Sequence, residues 1–138
     1  MAFLIFVADD DEDDFDLLNE AFEELNEINL LHAKNGKVLI DDLNYMHASN
    51  DKLPDLILLD INMPKIDGLK ALEYIKSSKP FMSIPVIMYT TSNNNDQRKK
   101  CFLLGADGFI TKANNFKELK LFINYIDNFL KRIDKIVI

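Results

Sequence analysis

Residues 53–72, LPDLILLDINMPKIDGLKAL, decide how this chain is read. The unbroken apolar run Leu56, Ile57, Leu58, Leu59 ends in a single acid, Asp60. A run this short, bounded by turn residues, suits a strand covered on both faces, as in a parallel sheet. Ile61, Asn62, Met63 and Pro64 follow, then Asp67 and Gly68, a proline- and glycine-marked loop leading into the helical pattern Leu69, Leu72, Ile75. Asp60 thus sits at the carboxyl end of a strand, as either a turn residue or a reactive carboxylate.

The same alternation extends outward in both directions. Residues 3–8 (FLIFVA) form a β-prone run that stops at Asp9, and the pattern Phe15, Leu18, Ala21, Phe22, Leu25 predicts a helix after it. Residues 28–33 are a second apolar run, closed by the turn signal Asn35-Gly36. Val38, Leu39, Leu43 and Met46 then suit an amphipathic helix. Residues 50–54 read as a loop, and the helix after Asp60 as about 68–78. Residues 86–90 (VIMYT) form a fourth run, ending in Thr90, Thr91 and Ser92. A polar helix start at 93–97 precedes Cys101, with Gly105 as its terminator. Residues 108–111 are a short fifth strand followed by Lys112, and the last helix covers about 115–131, with Phe116, Leu119, Phe122, Ile123, Ile126 and Leu130 on one stripe.

Five strand–helix alternations predict an α/β fold, a doubly wound parallel sheet with helices on both faces. In such open sheets the functional crevice lies at the carboxyl ends of the strands. Asp9 and Asp10, Asp60, Thr90 and Lys112 leave strands one, three, four and five, so they are expected on one rim.

The bulk composition narrows the function. A chain of 138 residues is read as one domain with its core over about 3–131 and a tail at 132–138. With 48% hydrophobic and 28% charged residues it has the balance of a soluble globular protein. A net charge of −7 weighs against nucleic acid as a partner. A single cysteine, Cys101, allows no intramolecular disulfide; no secretion signal is read, and no apolar run approaches the roughly 18–20 residues of a membrane helix. No membrane partner and a cytoplasmic location are expected.

Carboxylates crowded on one rim repel, by about 4 kcal/mol for two unit charges ~4 Å apart at an effective dielectric of ~20. They therefore call for a cation, and hard oxygen ligands select magnesium or calcium. Lys112 supplies a point charge for an anion and Thr90 a hydroxyl donor. That set suits phosphoryl transfer, which depends mainly on positioning and charge neutralisation, with an aspartate as nucleophile.

These residues resemble the receiver domain of two-component response regulators, from Phe3 to about Lys131, in the manner of a stand-alone chemotaxis regulator. Four motifs carry the resemblance: the pair Asp9-Asp10, LLDINMPKIDG around Asp60, PVIMYTT with Thr90, and GADGFITK with Lys112. The resemblance implies a flavodoxin-like sheet of order 2-1-3-4-5. It implies that Asp60 accepts a phosphoryl group from a histidine kinase or phosphotransfer protein. Mg2+ would be held by Asp10, Asp60 and the backbone carbonyl of Asn62, with Asp9 supporting it through water. Lys112 would pair with the phosphoryl oxygens, Thr90 and Phe109 would act as switch residues, and Asn62 and Ser92 would tune the lifetime. On this reading the protein is not an enzyme in its own right, and its output passes by population shift to an unknown downstream protein.

Two positions depart from the family pattern. Ala113 stands where proline usually follows the lysine; a non-proline cis bond costs ~2.5–4 kcal/mol, so a trans bond is expected. Phe109 stands where tyrosine is common, which retains ring burial but loses a hydroxyl. The remaining acids of the run 9–16 (DDDEDDFD), namely Asp11, Glu12, Asp13 and Asp14, are expected to be helix caps and solvated charge. The run also mimics a calcium loop, but Asp14 falls where that loop needs glycine. His32 and His47 are expected to be structural, Cys101 partly buried, and the lysines of 65–79 a solvated face.

Two other functions compete. One is a small phosphohydrolase of the aspartyl-phosphate type using Asp9 and Asp11; the other is a receiver-shaped binding module that is never phosphorylated. The apolar tail residues Ile133, Ile136, Val137 and Ile138 suggest a possible homodimer.

Overall fold

The computed structural model describes residues 2–25 and 27–134. Strands β1 (Phe3–Ala8), β2 (Ile28–Ala33), β3 (Leu56–Leu59), β4 (Val86–Thr90) and β5 (Gly108–Thr111) form one parallel sheet in the order β2-β1-β3-β4-β5. Helices α1 (Glu12–Glu23), α2 (Gly36–Ala48), α3 (Gly68–Ser77), α4 (Asn95–Leu103) and α5 (Phe116–Asp134) alternate with the strands. The expected fold class and strand order are both present.

Strand alternation explains the two layers. In β3, Leu56 and Leu58 face one side with Ile5, Val7, Leu18, Phe22, Ile126 and Leu130, which is the α1 and α5 layer. Ile57 and Leu59 face the other with Phe6, Leu39, Leu43, Leu72 and Ile75, the layer of α2, α3 and α4. All four β3 side chains are buried, as a central parallel strand requires. Fully burying one such side chain contributes about 1.5–3 kcal/mol, so β3 holds the sheet from both faces.

Short polar side chains start the helices. Asp11 accepts hydrogen bonds from the backbone of Asp13 and Asp14, Asn35 from Val38, Asp67 from Lys70, and Asn94 from Asp96 and Gln97. The cap at Asp11 starts α1 at Glu12, so the run 9–16 turns into helix and forms no calcium loop. Helix α5 runs three residues beyond the expected Lys131. The tail residues Ile136, Val137 and Ile138, and the side chain of Ile133, lie outside the described residues, so the dimer expectation attached to them finds no geometry here.

Two expectations about side chains need correction. Lys76 belongs to no solvated face: its side chain is 15% exposed, and Nζ reaches Asp107 Oδ2 (3.0 Å) and the carbonyl of Ile84 (2.8 Å). The same Asp107 oxygen accepts from the backbone N–H of Val86, so the pair ties α3 to the start of β4. Cys101 is wholly rather than partly buried, and burial pushes its thiol up from the usual value. It is the one buried residue of α4, whose other apolar side chains, Phe102 and Leu103, are exposed.

Candidate functional site

The parallel register delivers the expected residues to one edge. Ala8, Leu59 and Met88 lie side by side across β1, β3 and β4, so the residues that follow them emerge together. Asp9 N–H donates to the Ala33 carbonyl and Asp60 N–H to that of Ala8, each at 3.0 Å, which fixes both aspartates as continuations of the sheet. Lys112 N–H is likewise bound to the Thr90 carbonyl at 2.8 Å.

Lys112 closes the cluster. Its Nζ lies 2.8 Å from Asp9 Oδ2, 3.0 Å from Asp60 Oδ2 and 2.8 Å from Asp14 Oδ2. Burial opposes the charge on this ammonium, but the three carboxylates outweigh it and hold the group above the usual lysine range. Asp9 is also buried, and burial pushes its carboxyl up; hydrogen bonds from Lys112 and from the backbone of Asp11 act in the opposite sense.

Asp10 is exposed, and one carboxylate oxygen each from Asp9, Asp10 and Asp60 lie within 4.8 Å of one another. Asp60 Oδ1 is buried and has no hydrogen-bond partner among the described residues. A buried carboxylate oxygen without a partner is costly, and crowding three carboxylates together adds to that cost. Four carboxylates (Asp9, Asp10, Asp14, Asp60) against one ammonium leave three negative charges uncompensated when all are ionised. The donor set therefore fits a hard divalent cation.

The other singled-out residues occupy the same edge or its flank. Thr90 is wholly buried, with Oγ1 3.4 Å from the backbone N of Ser92. The Ser92 hydroxyl donates to Gln97 Oε1 at 2.5 Å, joining the β4 edge to α4. Asn62 is exposed, two residues beyond Asp60. Phe109 is half-buried against the α4-side core, with the Arg98 guanidinium 5.3 Å above its ring centre.

Three further residues support the site; Asp14 and Tyr89 take roles that the sequence did not indicate, while His32 makes structural contacts in keeping with expectation. Asp14, expected to be a cap or solvated charge, is an ion-pair partner of Lys112. His32 Nε2 lies 2.8 Å from the Asp9 carbonyl, to which it donates, and its ring stacks on Phe15 with centroids 4.2 Å apart, so its structural role is to support the first acid. Tyr89, passed over as an ordinary strand residue, stacks on Phe122 at 4.3 Å and accepts at Oη from the Ala113 N–H at 3.3 Å. The Lys112–Ala113 bond is trans, as expected. Alanine thus brings an N–H that proline lacks, and Tyr89 satisfies it. Tyr89→Phe is expected to cost about 1 kcal/mol in urea unfolding, the worth of one such hydrogen bond, because the ring stays stacked on Phe122. An unchanged stability would show that the Ala113 N–H has found another partner.

Asp11 does not converge with Asp9 as an Asp-x-Asp pair would: its Oδ1 is engaged by the cap of α1.

A doubly wound sheet with acids after its first and third strands and a lysine after its fifth, all converging at one edge, defines a class of phosphoryl-handling signalling domain. Comparison with known proteins specifies it: residues 5–124 match the response regulator receiver domain, and the chain belongs to that family. Receiver domains of two-component systems accept phosphoryl groups, and histidine kinases are their donors. The chain is 29% identical over 128 residues to the probable methanogenesis regulatory protein FilR2 of Methanothrix harundinacea, covering 92% of this chain and 83% of that protein. The phosphorylated cyanobacterial phytochrome response regulator RcpA superposes with a TM-score of 0.85 at 31% identity, with 94% of each chain covered. The Mn(2+)-bound form of response regulator Rcp1 superposes with a TM-score of 0.82 at 27% identity, covering 99% of this chain and 98% of that one. Among the described residues no helix is long and apolar enough to cross a membrane.

Proposed function

We propose that Asp60 is the phospho-acceptor of a receiver that signals through protein contacts. One observation carries this reading: Asp60 is a buried strand-end carboxylate whose Oδ2 is held by Lys112 while Oδ1 has no partner. A carboxylate oxygen of Asp60 attacks phosphorus from this position. The new P–O bond forms as the donor's P–N bond breaks, and the electron pair returns to the donor imidazole. Lys112 is already beside Asp60 and pairs with the phosphoryl oxygens as they arrive.

Mg2+ fits the acids Asp9, Asp10 and Asp60, completed by the backbone carbonyl of Asn62; when bound it neutralises charge on the transferring group. That metal-bound relatives include the Mn(2+) form of Rcp1 supports a divalent ion here. Thr90 and Phe109 carry the switch, and Asn62 and Ser92, two residues beyond Asp60 and Thr90, tune the phosphoryl lifetime. Phe109 has no hydroxyl, so the signal passes by ring burial against Arg98 and the α4-side core.

On this reading the chain is one domain over residues 1–138, with its core at 3–131. It is no enzyme beyond its own phosphorylation and dephosphorylation, and it works in the cytoplasm with a histidine kinase or phosphotransfer protein as donor. The net charge of −7 favours a protein target over nucleic acid.

Incubation with magnesium and acetyl phosphate is expected to give one covalent phosphate per chain, base-labile and located by mass spectrometry on the peptide containing Asp60. An unmodified protein under those conditions would instead support the receiver-shaped binding module.

A further inference from the structure

The three carboxylate partners of Lys112 are not equivalent. Asp9 and Asp60 end β1 and β3, are buried, and belong to the acid cluster suited to a cation. Asp14 stands outside that cluster. It comes from the first turn of α1, its side chain is 35% exposed, and it reaches Nζ at 2.8 Å. The helix places it there: positions 14, 18 and 22 share one stripe, Leu18 and Phe22 are buried on it, and Asp14 lies at the end nearest the strand edge. Its backbone N–H is tied to Asp11 Oδ1 at 3.2 Å, which fixes the turn. Leu17, Leu18, Tyr89 and Ala113 line the same recess as Asp14 and Lys112, so the pair lies beside an apolar wall.

We infer that Asp14 is a positioning residue for Lys112: it gives the ammonium a partner outside the metal cluster, so that Lys112 stays beside Asp60 while Asp9 and Asp60 are free for a cation. This rests on the reading that Asp9, Asp10 and Asp60 take magnesium. A largely buried ammonium requires a partner. Without Asp14 its remaining carboxylates would be Asp9 and Asp60, and the lysine would compete with magnesium for the same oxygens.

The test is a double-mutant cycle on magnesium affinity, measured by calorimetric titration of the full chain. Asp14→Asn is expected to weaken magnesium binding about fivefold when Lys112 is present, and less than about twofold in a Lys112→Met background, a difference within the usual coupling of contacting residues. Asp14→Glu is expected to restore most of the affinity. Asp13→Asn removes an equal charge from the exposed side of the same turn and should change it less than about twofold. Asp14→Ala is a second removal should the asparagine find a substitute contact.

Equal losses in the two Lys112 backgrounds would reduce Asp14 to a through-space charge and overturn the assignment, as would no loss in either. A wild type that binds no magnesium overturns it too, since no competition then exists. A wild type that binds magnesium but takes up no phosphoryl group overturns the acceptor role of Asp60 alone, because the cycle is read on binding.

Discussion

Asp60→Asn is expected to abolish the covalent phosphate while leaving the fold in place. Asparagine has the same shape and keeps a neutral oxygen toward Lys112, but an amide oxygen lacks the negative charge that makes a carboxylate a nucleophile. The backbone bond from residue 60 to Ala8 is untouched, and Lys112 retains Asp9 and Asp14. Stability is therefore expected to stay within about 1 kcal/mol of wild type by urea unfolding, since a charge is removed from a crowded cluster and no cavity is made. Magnesium should bind more weakly, because one of three carboxylates near the metal position is lost. Intact-mass measurement after acetyl phosphate treatment decides the matter. Undiminished modification of the variant would transfer the acceptor role to another carboxylate, Asp9 and Asp10 being nearest.

How far the sequence could be read depends on the range of the interactions. The central strands were legible because short continuous apolar runs such as Leu56 to Leu59, bounded by turn residues, suit a sheet covered on both faces. Their carboxyl-end residues could be gathered on one rim because parallel strands share a direction. Asp14 was hidden for a different reason. An acid in the first turn of a helix is favoured by the dipole wherever it points, so its type carries no directional information. The direction was nonetheless present in the spacing 14, 18, 22, which continues the buried stripe of α1. Lys76 had no such signal: its partners, Asp107 and the Ile84 carbonyl, come from other segments, and only the fold brings them together. The same holds for Tyr89, whose hydroxyl matters because Ala113 has an N–H to satisfy.

The glycines beside the site were read as turn markers, and their structural role is stricter. Gly68→Ala is expected to destabilise the protein by about 3 kcal/mol, lowering the melting temperature by roughly 10 °C. A Cβ at Gly68 would lie 2.1 Å from the carbonyl oxygen of Asp60 and 2.7 Å from Ile61 Cα, both backbone atoms that no rotamer change can move. The Gly68 N–H also donates to the Ile61 carbonyl at 2.8 Å, so the start of α3 is drawn against the residues that carry the acceptor. On the other side Gly36 N–H donates to the Ile66 carbonyl at 3.2 Å, and a Cβ there would meet that oxygen at 2.2 Å. The loop after Asp60 is thus gripped by two glycines whose hydrogen bonds require contact closer than a side chain allows. Gly108→Ala provides the contrast, since its nearest neighbour is a side-chain atom, Ile87 Cγ1 at 3.3 Å, and the strain is expected to stay below about 1 kcal/mol. If thermal unfolding showed Gly68→Ala and Gly108→Ala equally mild, the loop would have slack to move away from α3. Because that movement would begin at the Asp60 carbonyl, Gly68→Ala is also expected to slow phosphorylation in whatever fraction remains folded.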